Sequence, residues 1–405
     1  MTNLSLYLVE SADMYPDGPA LRCDRVTTTF SELADNAARF AAYLIDRGLR
    51  PGDRVGVMLA NRPEFAMVLY GVLHAGAVAV PMDPRRNARE VAFFLANTGA
   101  RLLIFAPSCW AAATAGARAA DVPRIAVGGR TLEWLTDDFL GQAWPVTRAG
   151  DDTAVILHTC STTGMPKGVQ LTHSNLACHQ AVIARRLLNI GPDDVVLGCL
   201  PLSHAFGMTC VLGAAISTGA SLALLPTFDP GTALEMVADE RVTVFEGLPS
   251  MYASMLGATT GDDLNFGLLR VCISAGGPVP VEVLRRFEDR FDSTVLEGYG
   301  LAETSGAACF HHPGSVRKVG SVGTPIDGVR MRVVDEHAAE VPTGSRGEIQ
   351  VRGHNVMKGY WSSPEATANA IVGGWFSTGD VGRVDEDGYY FVVDRKNNRQ
   401  RRAAT

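Results

Sequence analysis

The sequence contains eight cysteines, at positions 23, 109, 160, 178, 199, 210, 272 and 309, but no Cys-x-x-Cys pair. That scatter gives neither a zinc site nor a disulfide framework. Residues such as Cys272, in the apolar run Val271-Cys-Ile273, read as small core side chains. A reducing cytoplasm is the expected setting. Positive charge is in deficit, with 36 Lys and Arg against 43 Asp and Glu and a formal net charge of -7. The deficit argues against a broad nucleic-acid-binding face. The basic cluster of Arg395, Lys396, Arg399, Arg401 and Arg402 reads as a solvated tail. The N-terminus lacks the basic segment and cleavage site of a signal peptide, and no repeat recurs at solenoid spacing. The uncharged stretch Met208 to Pro226 is interrupted by Ser217-Thr-Gly-Ala-Ser221, so it reads as a buried helix, a turn and a strand, not a membrane span.

What the chain has is length and apolar content. Its 405 residues are 47% hydrophobic, enough for a sizeable core. Leu33, Ala37, Phe40 and Leu44 share one face of a helix expected over residues 31–48 and closed by Gly48. Strands are expected at 54–59, 77–81 and 102–105, with helices at 64–75 and 90–97 between them. The alternation resumes after residue 170, with helices near 174–188, 206–216, 231–239 and 280–291 and strands at 194–200, 221–225 and 242–245. Strands alternating with helices imply mostly parallel sheets covered on both faces, in two α/β subdomains at about 1–170 and 171–320. From about 321 to 393 the runs Arg330-Met-Arg-Val-Val334 and Gly347-Glu-Ile-Gln-Val-Arg352 alternate like antiparallel strands, a β-rich subdomain.

The apolar run Thr153-Ala-Val-Ile-Leu157 leads into His158-Thr-Cys-Ser-Thr-Thr-Gly-Met-Pro-Lys-Gly168. Glycine lets the backbone approach a ligand closely, hydroxyls and amides donate hydrogen bonds, and Lys167 adds charge, so the loop suits an oxyanion such as phosphate. It is not the P-loop of nucleotide hydrolases, because Lys167 follows proline and precedes glycine instead of Ser or Thr. An ordinary polar surface loop is the plain alternative.

The segment Thr159-Cys-Ser-Thr-Thr-Gly-Met-Pro-Lys-Gly168 resembles the signature loop of the adenylate-forming acyl-CoA ligases, with Cys160 and Ser161 where serine and glycine are usual. Further blocks follow in that family's order: Pro201-Leu-Ser-His-Ala-Phe-Gly207, Ser274-Ala-Gly-Gly-Pro278, Glu297-Gly-Tyr-Gly-Leu-Ala-Glu-Thr304, Met357-Lys-Gly-Tyr-Trp361 and Trp375-Phe-Ser-Thr-Gly-Asp380. The resemblance is greatest to bacterial long-chain fatty-acid ligases, and it covers nearly the whole chain. It implies an α/β fold, the large N-terminal AMP-binding domain over 1–393, followed here by a hinge remnant and basic tail at 394–405, with the family's small C-terminal domain absent.

The resemblance also implies roles. Thr159, Ser161, Thr162, Thr163, Gly164 and Lys167 would wrap the phosphates of ATP. Glu303, with Thr159, would hold Mg²⁺, which takes hard oxygen ligands. Tyr299 would stack on adenine, with Gly276, Gly277, Glu297, Gly298 and Gly300 around the base. Asp380 would accept from the ribose hydroxyls, with Arg395 near ribose or phosphate. His204 would lie beside the acid's carboxylate; Lys167, Glu303 and His204 are the catalytic candidates. The implied reaction turns a carboxylic acid into acyl-AMP and then, with coenzyme A, into a thioester. Residues 203–208 carry no acidic group to bind an ammonium, so an uncharged apolar tail is expected, and the resemblance to bacterial fatty-acid ligases implies a fatty acid. Alternatives are a binding module or half-enzyme served by a C-terminal domain in trans, and an aryl or other acid on the same scaffold. An exposed docking face for the small domain would favour self-association.

Overall fold

The computed structural model describes residues 3–128, 143–159, 165–258 and 264–395. Helix Phe30–Asp46 shows how the sequence builds the first layer. Thr29 caps it, accepting from the Glu32 amide at 3.2 Å while the Glu32 carboxylate accepts from the Thr29 amide at 2.8 Å. This reciprocal box fixes the start of the helix. Leu33, Ala37 and Phe40 are fully buried and Leu44 nearly so. Full burial of such side chains contributes about 1.5–3 kcal/mol each. Helix Pro63–His74 packs against this face so closely that a Cβ on Gly71 would lie 2.8 Å from the Phe40 ring.

Three sheets organise the chain. A nine-stranded sheet runs, in spatial order, through Thr324–Pro325, Cys309–Phe310, Thr294–Tyr299, Val271–Ser274, Val244–Gly247, Val195–Gly198, Ser221–Leu224, Pro19–Cys23 and Val26–Thr29. Its central pairings are parallel. A seven-stranded sheet runs Gly359–Tyr360, Gly168–Thr172, Thr153–His158, Val78–Pro81, Arg54–Met58, Leu102–Phe105 and Arg124–Ala126. An antiparallel sheet holds Val329–Val334, Gly347–Gly353, Trp375–Val384 and Ile371–Val372, with Tyr390–Arg395 also paired to Trp375–Val384. Among the described residues no helix is long and apolar enough to cross a membrane.

The sheets are not contiguous in sequence. A linear division near residue 170 falls inside strand Gly168–Thr172. Strand Pro19–Cys23 crosses into the nine-stranded sheet, pairing Leu21 with Leu222. Strand Gly359–Tyr360 returns to the seven-stranded one, pairing Tyr360 with Val169. Two elements also differ in detail from the sequence expectation. The strand expected at 242–245 occupies Val244–Gly247, because the Val242 amide closes the preceding helix by donating to the Val237 carbonyl at 3.0 Å. The helices expected near 174–188 and 206–216 widen into π-helical turns at Val182–Leu187 and Gly207–Gly213. In the second of these, the Thr209 hydroxyl donates to the Ala205 carbonyl at 2.7 Å, diverting that acceptor from the regular ladder.

Candidate active site

Thr159 and Lys167, described residues at the two ends of the Ser/Thr/Gly segment, continue two paired strands. Strands Thr153–His158 and Gly168–Thr172 are antiparallel, and the Thr159 amide donates to the Lys167 carbonyl at 3.0 Å. No helix follows the loop directly, which separates it in structure as well as sequence from a P-loop. Ser161, Thr162, Thr163 and Gly164 lie outside the described residues.

The Lys167 ammonium sits 4.8 Å from the ring centroid of Tyr360, whose hydroxyl donates to Glu303 Oε1 at 3.0 Å. Glu303 rides on the 3₁₀ turn Ala302–Thr304, and its carbonyl accepts from the Met357 amide at 2.9 Å. Strand Gly359–Tyr360 is thus the bridge between the loop and the carboxylate. Burial raises the Glu303 pKa, while the Tyr360 hydrogen bond, Arg395 and Lys167 pull it down.

Asp380 closes the other side. Gly379, at φ +76°, donates to Glu348 Oε1 at 3.0 Å next to a register shift in the ladder. This kink suits glycine and re-aims the next side chain. Asp380 is 7% exposed. Its Oδ2 accepts from the Tyr299 hydroxyl at 2.6 Å, and Oδ1 lies 3.5 Å from Arg395 Nε on the neighbouring strand. Burial raises its pKa, against the pull of Tyr299 and Arg395. Contacts thus join Lys167 through Tyr360 to Glu303, and Arg395 through Asp380 to Tyr299. The charges of Arg395 and Lys167 both act on Glu303, which brings the two sets together electrostatically.

The glycines divide by role. A Cβ on Gly298 would lie 1.8 Å from the Phe310 ring, and one on Gly300 would lie 2.3 Å from the Gly306 carbonyl oxygen. Packing alone is enough to require glycine at both positions. Gly276, at φ +89°, and Gly277, with no atom nearer its Cβ position than 3.8 Å, leave an open surface. Glu297 is buried, and its Oε1 accepts from the Val279 amide at 3.3 Å. It holds the Gly276–Val279 turn instead of pointing outward.

His204 stands half exposed, its Nε2 3.8 Å from Asp83 Oδ2. Burial lowers its pKa, opposed by Asp83. It lines a small cleft with Asp83, Arg86, His158 and Ala302, so the Glu303 turn and the histidine border the same space. A larger groove of about 680 Å³ between helices Leu6–Met14 and Phe30–Asp46 carries Asp13, Glu32 and Asp35 and would repel a phosphate. Sequence reasoning assigned no role to Tyr360, although it lies in a quoted block. It also missed Asp83, which belongs to no motif.

The donor set fits Mg²⁺. Among the described residues no three His, Cys, Asp or Glu side chains cluster as metal ligands. Mg²⁺ needs only one or two carboxylates when substrate phosphates complete its shell. Glu303, backed by Tyr360, would hold it, and the ion would neutralise charge on the phosphates.

Residues 8–361 match the model of the family described as AMP-binding enzyme. The chain is 36% identical to a feruloyl-CoA synthase of Amycolatopsis sp over 97% of its own length and 78% of that protein's. It is 31% identical to a long-chain-fatty-acid–CoA ligase of Bacillus subtilis, over 98% and 77%. It superposes on the N-terminal domain of FACL13 from Mycobacterium tuberculosis with a TM-score of 0.91 at 28% identity, over 98% of this chain and all of that one. It superposes on ATP-bound MatB from Rhodopseudomonas palustris with a TM-score of 0.88 at 31% identity, over 97% and 78%. The chain belongs to the AMP-binding enzyme family, on its acid–CoA ligase side, whose chemistry draws on ATP, Mg²⁺ and coenzyme A.

Proposed function

We propose that this chain activates a carboxylic acid with an uncharged tail. The acid's carboxylate oxygen attacks the α-phosphorus of ATP, and the bond to pyrophosphate breaks. The thiolate of coenzyme A then attacks the acyl carbonyl carbon, and AMP leaves with the electron pair. Lys167 neutralises the phosphates, Glu303 holds the cation, Asp380 grips the ribose and His204 faces the acid. The single observation that carries this reading is the convergence of two contact sets, Lys167–Tyr360–Glu303 and Arg395–Asp380–Tyr299, with Glu303 feeling the charges of both Lys167 and Arg395. Fixed donors and charges of this kind act by positioning and by stabilising developing charge.

A long-chain fatty acid is the substrate favoured by the motif resemblance. The greater identity to feruloyl-CoA synthases, 36% against 31%, favours a hydroxyaryl acid as the second reading. Pyrophosphate release from ATP, measured across matched fatty and aryl acids with and without coenzyme A, tests both. Absence of release with both classes refutes the proposal; release with one class selects the substrate.

A further inference from the structure

Glu246 is the least expected side chain in the fold. It lies near the end of strand Val244–Gly247, wholly buried, and both carboxyl oxygens lack a hydrogen-bond partner among the described residues. Burying such a group unpaired is costly, and native interiors seldom leave one so. Its orientation follows from the strand. Phe245 packs its ring on Tyr252 and Phe287, so Glu246 points to the opposite face of the sheet. There its charge is felt by the thiols of Cys199 and Cys210. Cys210 belongs to the π-helical turn Gly207–Gly213, which begins three residues after His204. The Thr209 hydroxyl ties that turn to the Ser305 carbonyl at 2.7 Å, beside the Glu303 segment. Carboxyl ends of strands in such sheets are where ligands enter, and π-turns recur at functional sites.

Cys210 lies six positions after His204, roughly 9 Å along a helical path at about 1.5 Å per residue. Glu246, whose carboxyl acts on Cys210, is reached at about that depth, the length of an eight-carbon chain or a hydroxycinnamoyl group. Among the described residues no basic side chain acts on it, and burial pushes its pKa up to about 8, so it stays protonated near neutral pH. A neutral carboxyl offers one donor and one acceptor, which matches a hydroxyl.

We propose that Glu246 is the specificity-determining residue at the deep end of the acid site, selecting acids whose tail ends in a hydroxyl or phenol. The inference rests on the reading of His204 as the carboxylate end. A pocket built to hydrogen-bond a hydroxyl discriminates strongly against the analogue lacking it, because the buried partner is otherwise left unpaired.

The test uses this chain and non-reactive acyl-sulfamoyl-adenosine mimics in matched pairs: para-hydroxycinnamoyl against cinnamoyl, and omega-hydroxyoctanoyl against octanoyl. Calorimetric affinities are compared for the natural protein, Glu246→Leu and the near-isosteric Glu246→Gln. The expected result is at least about tenfold preference for one hydroxylated mimic, retained in large part by Glu246→Gln and abolished or reversed in Glu246→Leu, with AMP affinity unchanged. Tight binding of the mimics with no preference, or a preference that survives Glu246→Leu, overturns the role of Glu246 and leaves the ligase reading standing. Failure of the natural protein to bind any mimic or AMP overturns the ligase reading itself.

Discussion

Replacing Asp380 by Asn is the sharpest perturbation of the nucleotide site. The carboxylate already accepts from Tyr299 and faces Arg395, and its remaining lone pairs are those assigned to the ribose. Asparagine keeps one acceptor oxygen and turns an amine toward the other partner, so about one charge-assisted hydrogen bond is lost. Such a bond contributes about 1.5–3 kcal/mol, which is on the order of 10- to 100-fold in ATP affinity. The fold should survive. Burial raises the Asp380 pKa, so the carboxylate's contribution to stability falls as pH rises through that raised value, and a neutral amide removes this cost. Arg395 is half exposed and loses little with its partner. The assay is calorimetric titration with ATP and with dideoxy-ATP. Asp380→Asn should weaken ATP binding toward the level of dideoxy-ATP while leaving dideoxy-ATP nearly unchanged, at unaltered melting temperature. An equal loss for both nucleotides, or no loss for ATP, refutes the ribose assignment.

Removal of the Tyr360 hydroxyl in Tyr360→Phe leaves the Glu303 carboxylate without its donor, raises the Glu303 pKa further and should weaken Mg²⁺-dependent ATP binding by about tenfold near neutral pH. The loss should shrink as pH rises and Glu303 ionises. Gly298→Ala drives a Cβ into the Phe310 ring and should destabilise the chain by about 3 kcal/mol or more; an unchanged urea midpoint contradicts that packing. Glu246 has a folded pKa of about 8 against an ordinary 4.5, so the wild type keeps its full stability below the lower value and loses it as pH rises through the higher. Denaturation curves should therefore show Glu246→Gln gaining on the wild type by about 4–5 kcal/mol between pH 5 and pH 9, and parallel curves contradict the burial of an unpaired carboxyl.

Much of the fold was legible because periodicity and punctuation agreed. Leu33, Ala37, Phe40 and Leu44 mark one helical face, and that face is buried. What the sequence hid was long-range order. Nothing local says that Pro19–Cys23 pairs with a strand two hundred residues on, or that Gly359–Tyr360 returns to the strand that follows the Ser/Thr/Gly segment. Such pairings are set by which edges remain open once the central strands are in place. The resemblance singled out Lys167, Glu303 and Asp380 separately. The linkers Tyr360 and Arg395 join them only in three dimensions. Glu246 was invisible for a different reason. It falls one residue past the strand expected at 242–245 and belongs to no motif, and only the accounting of partners for its buried oxygens shows that something is missing.

The most direct test of the central claim is a crystal structure of this chain with Mg²⁺ and a non-hydrolysable ATP analogue. The account expects one nucleotide with its phosphates at Lys167, the metal on Glu303 and the ribose hydroxyls on Asp380. A nucleotide bound elsewhere, or these three residues arranged around different ligands, contradicts it.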